Sequence, residues 1–156
     1  GKLFYTQERV GKNGKIFKIL KFRTMKTNAE TNGAVFAAIN DSRVTAFGKF
    51  LRKTRIDEFP QFINILKGDM GVIGPRPERP VFVKEIAEVM PFYETRHVIK
   101  PGLTGWAQVN YSYGETINDS LIKLQYDLYY IKHRSIFLDI NIIFKTISTV
   151  LFYRGQ

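Results

Sequence analysis

Two adjacent carboxylates, Asp57 and Glu58, lie in a stretch, residues 49–77, that but for Asp69 is otherwise cationic and rich in turn formers. Lys49, Arg52, Lys53 and Arg55 precede them, and a Gly-Pro-Arg-Pro corner at residues 74–77 follows. Acids set among that many cations suit a partner that is itself anionic and needs a nucleophile, a base or a metal. A phosphate ester meets that description. The plainer alternative makes Asp57 a helix cap and Glu58 a first-turn acid, each contributing on the order of 0.3–1 kcal/mol. A cap, however, needs neither the upstream cations nor Arg76, which is locked between Pro75 and Pro77. A guanidinium on so restricted a backbone suits bidentate phosphate binding.

The elements that must position these groups can be read from spacing. Asp41 or Ser42 is expected to cap a helix carrying Val44, Phe47, Phe50 and Leu51 and ending near Thr54. A second helix is expected to begin at the acids, with Pro60 in its first turn and Phe62, Ile63, Ile65 and Leu66 continuing to Lys67-Gly68. In that position the dipole and the cations are expected to lower the Asp57 pKa, which keeps it ionised but weakens it as a nucleophile. Residues 3–24 read as a β-hairpin about Gly11-Lys12-Asn13-Gly14. Its outgoing strand places Lys21 and Arg23 on one face, as a phosphate clamp or as a solvated strand face. Val72-Ile73 reads as a short buried strand or turn.

Further along, Arg79-Pro80 opens a helix with a stripe of Phe82, Val83, Ile86, Val89 and Met90, ended by Pro91. A short helix over residues 92–97 follows, on which His97 is expected to be hydrogen-bonded or exposed rather than a base. Residues 106–109 read as a short strand. Residues 115–133 form an amphipathic helix with Ile117, Leu121, Leu124, Leu128 and Ile131 at helical spacing. Residues 135–152 are strongly apolar, yet Asp139, Asn141 and Lys145 interrupt them, so a packed or interfacial helix is expected rather than a membrane span. Residues 27–39 are small and polar and read as a flap or a substrate-facing loop.

The chain has 156 residues, 44% of them hydrophobic, which fits one domain over residues 1–156. Its 24 basic and 14 acidic side chains give a net charge of +10, so phosphate esters, anionic lipid or nucleic acid are the partners to weigh. Without cysteine there is no disulfide or thiol chemistry, and His97 and His133 are too few for a histidine zinc site.

Five motifs together resemble the bacterial sugar transferases, the monotopic polyprenyl-phosphate phosphoglycosyl transferases. They are Lys-Phe-Arg-Thr-Met at residues 21–25, residues 52–61 around Asp57-Glu58, Leu-Lys-Gly-Asp-Met at 66–70, Gly-Pro-Arg-Pro at 74–77, and Lys-Pro-Gly-Leu-Thr-Gly-Trp-Ala-Gln-Val at 100–109. The similarity runs from about Tyr5 past Tyr130, and several long motifs in order are far more specific than a lone glycine pattern.

The resemblance implies an α+β, mostly helical catalytic domain in which the N-terminal hairpin packs with amphipathic, membrane-facing helices. It implies transfer of a sugar-1-phosphate from a UDP-sugar to polyprenyl (undecaprenyl) phosphate at the cytoplasmic face of the bacterial inner membrane. UMP is released, as the first step of exopolysaccharide, O-antigen or glycan assembly. Asp57 would be the nucleophile, forming an aspartyl phosphosugar, while Glu58, with Asp57, would hold Mg²⁺ and act as base toward the acceptor. Lys21, Arg23, Arg52, Arg76 and Arg79 would bind phosphate, Gln108 would contact nucleotide or sugar, and Asp127 would pair with an active-site arginine or help place the metal, unless it is a surface acid. Family members carry an N-terminal membrane segment, so this chain is expected to be a catalytic domain lacking it. Anionic inner-membrane lipid is an expected partner, nucleic acid is not, and a homo-oligomer is compatible with the reading. Two rivals have the same charge: an inactive basic scaffold on a membrane surface, which has no use for Asp57-Glu58, and a nucleic-acid-binding module, for which no helix-turn-helix, zinc or RNP pattern is present.

Overall fold

The computed structural model describes residues 2–29, 41–111 and 116–151. Most of the 27–39 segment, Phe152 and the side chains of Ile117 and Leu151 lie outside the described residues. The fold is α+β, with an N-terminal antiparallel hairpin, a short parallel strand pair and six α-helices among the described residues.

Strands β1 (Phe4–Val10) and β2 (Ile16–Phe22) pair from Phe4↔Phe22 to Val10↔Ile16. The turn takes positive φ at Asn13 and Gly14, the conformation for which asparagine and glycine are suited. Phe17 and Ile19, alternate residues of β2, are buried with Met70, and Ile65 packs against them. Beyond the hairpin, Met25 bridges Val44, which brings α1 (Ala46–Lys53) against the strand. Its cap is Thr45, whose hydroxyl accepts from the Gly48 N–H at 3.0 Å, and not Asp41 or Ser42. The Asp41 carboxylate is already occupied by Arg43, 2.6 Å away, so the helix starts later than spacing suggests. Gly48 lies so close to Thr24 that a Cβ there would stand 2.1 Å from the Thr24 carbonyl oxygen. Gly48→Ala is therefore expected to lower stability by about 1–3 kcal/mol in denaturant titration, although alanine is the better helix former.

The acids do not open the second α-helix. They occupy a 3-10 turn, Ile56–Glu58, and α2 (Gln61–Leu66) begins only after Pro60. Proline has no N–H to donate to the residue four back, so i→i−3 bonds, Glu58 N to Arg55 O and Phe59 N to Ile56 O, carry the chain into the helix. Helix α2 is inverted: Gln61 and Asn64 are buried, whereas Phe62, Ile63 and Leu66 face outward, Leu66 at 88% exposure. Asn64 explains the inversion. Its side chain donates to Lys18 O at 2.8 Å and accepts from Leu20 N at 3.0 Å, so one amide docks the helix on β2 as an extra strand residue would.

Strands β3 (Gly71–Ile73) and β4 (Gly102–Thr104) run parallel. The strand of the Pro-Gly-Leu-Thr-Gly motif is thus residues 102–104, and α4 (Trp106–Asn110) replaces the strand expected over 106–109. The reason is backbone contact. A Cβ on Gly102 would lie 2.1 Å from Gly74 N, so the strand register is taken up by the glycine-rich residues and the chain turns helical directly after Gly105.

Helix α3 (Pro80–Val89) buries Phe82, Val83 and Ile86 with Val10, Met90, Tyr93 and Leu124, and Leu128 packs on this cluster. Val89 leaves the expected stripe and is exposed, while Val83, Ile86 and Met90, spaced three and four apart, carry the buried face past it. Residues Tyr93–Val98 form a 3-10 helix. Helix α5 (Ile117–His133) opens with a Thr116/Asp119 capping box and contributes Leu124 to the core, while Leu121 is exposed. Helix α6 (Ile136–Leu151) buries Ile142 and ties to β4 through Thr146 and Thr104, whose hydroxyls are 2.7 Å apart. Its Phe137, Ile140, Phe144 and Ile147 are exposed, as are Phe47 and Phe50 of α1. Among the described residues no helix is long and apolar enough to cross a membrane.

Candidate active site

The site begins with a strained backbone. Arg55 adopts φ 58°, left-handed and uncommon for a side chain of its size, and this reversal after α1 aims the next acids inward. Asp57 and Glu58 are both buried, Asp57 at 8% exposure. β2 supplies Lys21, whose Nζ lies 3.0 Å from Glu58 Oε1, and the rigid corner supplies Arg76, whose Nη2 lies 3.1 Å from the same oxygen. Burial alone would push the Glu58 carboxyl up. The charges of Lys21, Arg76 and Arg55 and the Lys21 hydrogen bond overcome it and hold the group well below the ordinary carboxylate range.

Asp57 behaves oppositely, and the expectation that cations lower its pKa is corrected. Burial, then the Glu58 charge, push its carboxyl above the ordinary value; Lys21, Arg52 and Arg55 offset this only in part. Its Oδ1 is buried without a hydrogen-bond donor among the described residues. The pair is thus split in ionisation: one carboxylate is paired with cations and weakly basic, and the other has an unpartnered oxygen and more basicity.

Arg76 is held from behind. Its carbonyl accepts from Arg96 Nη2 at 3.0 Å, and Arg96 also donates to the Tyr93 hydroxyl at 2.7 Å. The same guanidinium pairs with Asp127 Oδ2 at 2.6 Å. Asp127, only 1% exposed, is therefore no surface acid; it anchors the arginine that fixes the Arg76 backbone. Although burial opposes it, the Asp127 carboxylate keeps Arg96 firmly protonated. Arg9 supports the far side of the corner, donating to Pro77 O at 2.9 Å and pairing with Glu78 at 3.3 Å. Sequence reasoning missed Arg9 and Arg96. No motif marks them, and only the hairpin and the 3-10 segment bring them to the corner.

The other residues singled out in the sequence are more dispersed. Arg52 reaches the site from α1, its Nε donating to Thr24 Oγ1 at 3.0 Å, and its charge bears on Asp57. Arg23 donates to Lys2 O at 2.9 Å and lies over the Tyr5 ring, so it serves the hairpin edge. Arg79 stands at the N-cap of α3 with its guanidinium over Phe82. Gln108 donates to Leu103 O at 3.3 Å within its own segment.

His97 is buried rather than exposed, edge-on to Tyr93, and its Nδ1 has no partner among the described residues. Burial, aided by the Arg96 charge, lowers its pKa from 6.5 to about 4. A depressed histidine pKa means that the unfolded chain takes up a proton the folded chain refuses. Stability from this group is full above about pH 6.5 and is lost as pH falls toward 4. In His97→Phe the acid-side fall of the melting temperature across that window is expected to be shallower than in the parent, as pH-dependent thermal melts will show.

For a divalent metal, the described residues contain no group of three or more His, Cys, Asp or Glu side chains that could hold one. A magnesium ion needs no such cage, because it keeps several waters and is bound through one or two carboxylates plus substrate phosphates. The unpartnered Asp57 oxygen beside Glu58 fits that mode.

The family model for bacterial sugar transferases matches residues 1–153. The chain belongs to that family. This bacterial sugar transferase chain is 52% identical over 151 residues to the UDP-N-acetylgalactosamine-undecaprenyl-phosphate N-acetylgalactosaminephosphotransferase of Aeromonas hydrophila, covering 97% of the chain and 36% of that protein. It is 43% identical over 151 residues to the UDP-glucose:undecaprenyl-phosphate glucose-1-phosphate transferase of Escherichia coli K12, covering 94% and 32%. It is 37% identical over 157 residues to the uncharacterized sugar transferase EpsL of Bacillus subtilis, covering 98% and 72%. The chain thus spans about a third of the length of the first two relatives.

Proposed function

We propose that this chain is the catalytic part of a phosphoglycosyl transferase that moves a sugar-1-phosphate from a UDP-sugar to undecaprenyl or a similar polyprenyl phosphate. The observation that carries the reading is the unpartnered, buried Asp57 oxygen beside a Glu58 already neutralised by Lys21 and Arg76. The names of the relatives support the acceptor and the type of group transferred.

In the first half-reaction an Asp57 oxygen attacks the phosphorus that bears the sugar. An acyl phosphate bond forms, and the bond from that phosphorus to the bridging oxygen breaks, so the oxygen leaves with UMP. In the second, an oxygen of polyprenyl phosphate attacks the same phosphorus and expels the Asp57 carboxylate. Splitting one displacement in two in this way is the general advantage of a covalent intermediate. Arg76, Lys21 and Arg52 stabilise charge on the diphosphate, and the raised basicity of Asp57 favours attack. Glu58, with Asp57, would hold Mg²⁺, which supplies charge neutralisation of the phosphates when bound. Because Lys21, Arg76 and Arg55 hold Glu58 weakly basic, it serves better as counter-charge and ligand than as general base.

The outward phenylalanines and aliphatics of α1, α2 and α6, with a net charge of +10, suit the surface of an anionic bilayer on its cytoplasmic side, where the lipid acceptor is found. The test is incubation with radiolabelled UDP-sugars and Mg²⁺ without acceptor. Hydroxylamine-sensitive label on the protein, chased off by polyprenyl phosphate, is the expected result. Turnover without any protein-bound label would mean a single displacement and would remove Asp57 from the nucleophile's role.

A further inference from the structure

From Ile56 through Lys67 the backbone stays right-handed: a 3-10 turn, then Phe59 and Pro60 in the helical region, then α2. Residues three and four apart on such a backbone share one face. Asp57, Gln61 and Asn64 follow that spacing, and all three are buried polar side chains on a segment whose apolar residues mostly point outward. Asn64 shows where this face is directed, because its amide is spent on Lys18 O and Leu20 N of β2. The next residue along that strand, Lys21, reaches Glu58.

Gln61 is different. It is 2% exposed, yet its Nε2 has no acceptor among the described residues. The Asp57 Oδ1 one turn earlier has no donor among the described residues. The two atoms are complementary, donor and acceptor, and still do not meet. A purely structural glutamine would close on that carboxylate or on a backbone carbonyl, since a buried carboxamide without a partner is costly and rare. What the pair lacks is a group that presents an acceptor to Gln61 and an electrophile to Asp57.

We propose that Gln61 is a substrate-binding residue, whose Nε2 donates to a non-bridging oxygen of the phosphoryl group that Asp57 attacks. The inference rests on the aspartyl-phosphate reading above. In it, the Asp57 oxygen forms the new bond to phosphorus, the bridging oxygen departs with UMP, and the oxygen held by Gln61 remains on the transferred group through both half-reactions. A neutral donor is suited to this place. It orients the phosphoryl group and meets its growing charge without adding to the cations Lys21, Arg52 and Arg55, which already draw basicity from Asp57.

The test compares Gln61→Leu and Gln61→Met with the parent in the full-length protein in lipid vesicles. Initial rates of UMP release from a UDP-sugar, the rate of label appearance on the protein, and thermal melts are the readouts. Both variants keep the approximate volume and remove the donor. The expected result is a fall of about 10²-fold in kcat/KM for the UDP-sugar, the scale for loss of one preorganised donor, with an unchanged or higher melting temperature. Rates at the parent level, or a melting temperature that falls in step with activity in both variants, would overturn the assignment. Asp57→Asn in the same assay separates the two claims. If that variant is dead while Gln61→Leu is fully active, the nucleophile stands and the Gln61 role fails. If Asp57→Asn turns over normally, or the parent releases no UMP from any UDP-sugar, the underlying reading fails and this inference with it.

Discussion

Asp57→Asn is expected to abolish sugar-1-phosphate transfer, by at least about 10³-fold in kcat, while leaving the fold as stable as before or slightly more so. The activity loss follows from removing the attacking oxygen's charge, for which no neighbour can substitute: Glu58 is tied to Lys21 and Arg76. The stability side follows from linkage. Burial and Glu58 raise the folded pKa of Asp57, so at neutral pH its ionised form is a cost to the folded state. An amide of the same shape removes that cost and is expected to add up to about 1 kcal/mol in denaturant unfolding. A capping aspartate would behave in the opposite way, with lost stability and retained activity. Measured together, turnover and melting temperature therefore distinguish the two accounts of one residue.

The second large effect is expected at the Arg96–Asp127 pair. Arg96→Gln or Asp127→Ala leaves the other charge buried without compensation, and such half-pairs cost about 3–5 kcal/mol, or roughly 10 °C in melting temperature for a chain of this size. Replacing both, Arg96→Met with Asp127→Leu, is expected to recover much of that loss, because a buried ion pair adds little net stability over apolar groups of similar volume. Activity is expected to part company with stability in the double variant. The Arg76 carbonyl loses its donor, so the corner that carries the Arg76 guanidinium to Glu58 loosens and turnover stays low. A double variant with full turnover would show that the prolines and Arg9 hold Arg76 without Arg96.

The motifs made the Asp57-Glu58 pair, the Pro-Arg-Pro corner and Lys21 legible, because each rests on residue types whose chemistry is local: charge, a locked φ, a glycine. The hairpin and the long helices were legible for the same reason, since period and turn residues act within a few positions. The Thr45 cap, the helical start at Trp106 and the inversion of α2 were not. Each is decided by a distant partner: Thr24 on Thr45, the Gly74 backbone against Gly102, and the β2 backbone against Asn64.

From the residues alone follow the chemical vocabulary of the site, two acids among cations with a rigid arginine, and the family that uses it. Tertiary structure decided which acid is paired with cations and which keeps a bare oxygen. Sequence neighbours share nearly the same local charges, so their order predicts no difference in ionisation between Asp57 and Glu58. Only the packing of β2 and the corner around them places Lys21 and Arg76 on Glu58 and leaves the Asp57 oxygen bare, raising one pKa and lowering the other. Desolvation and pairing depend on distances across the fold, and those distances do not exist until the chain is folded.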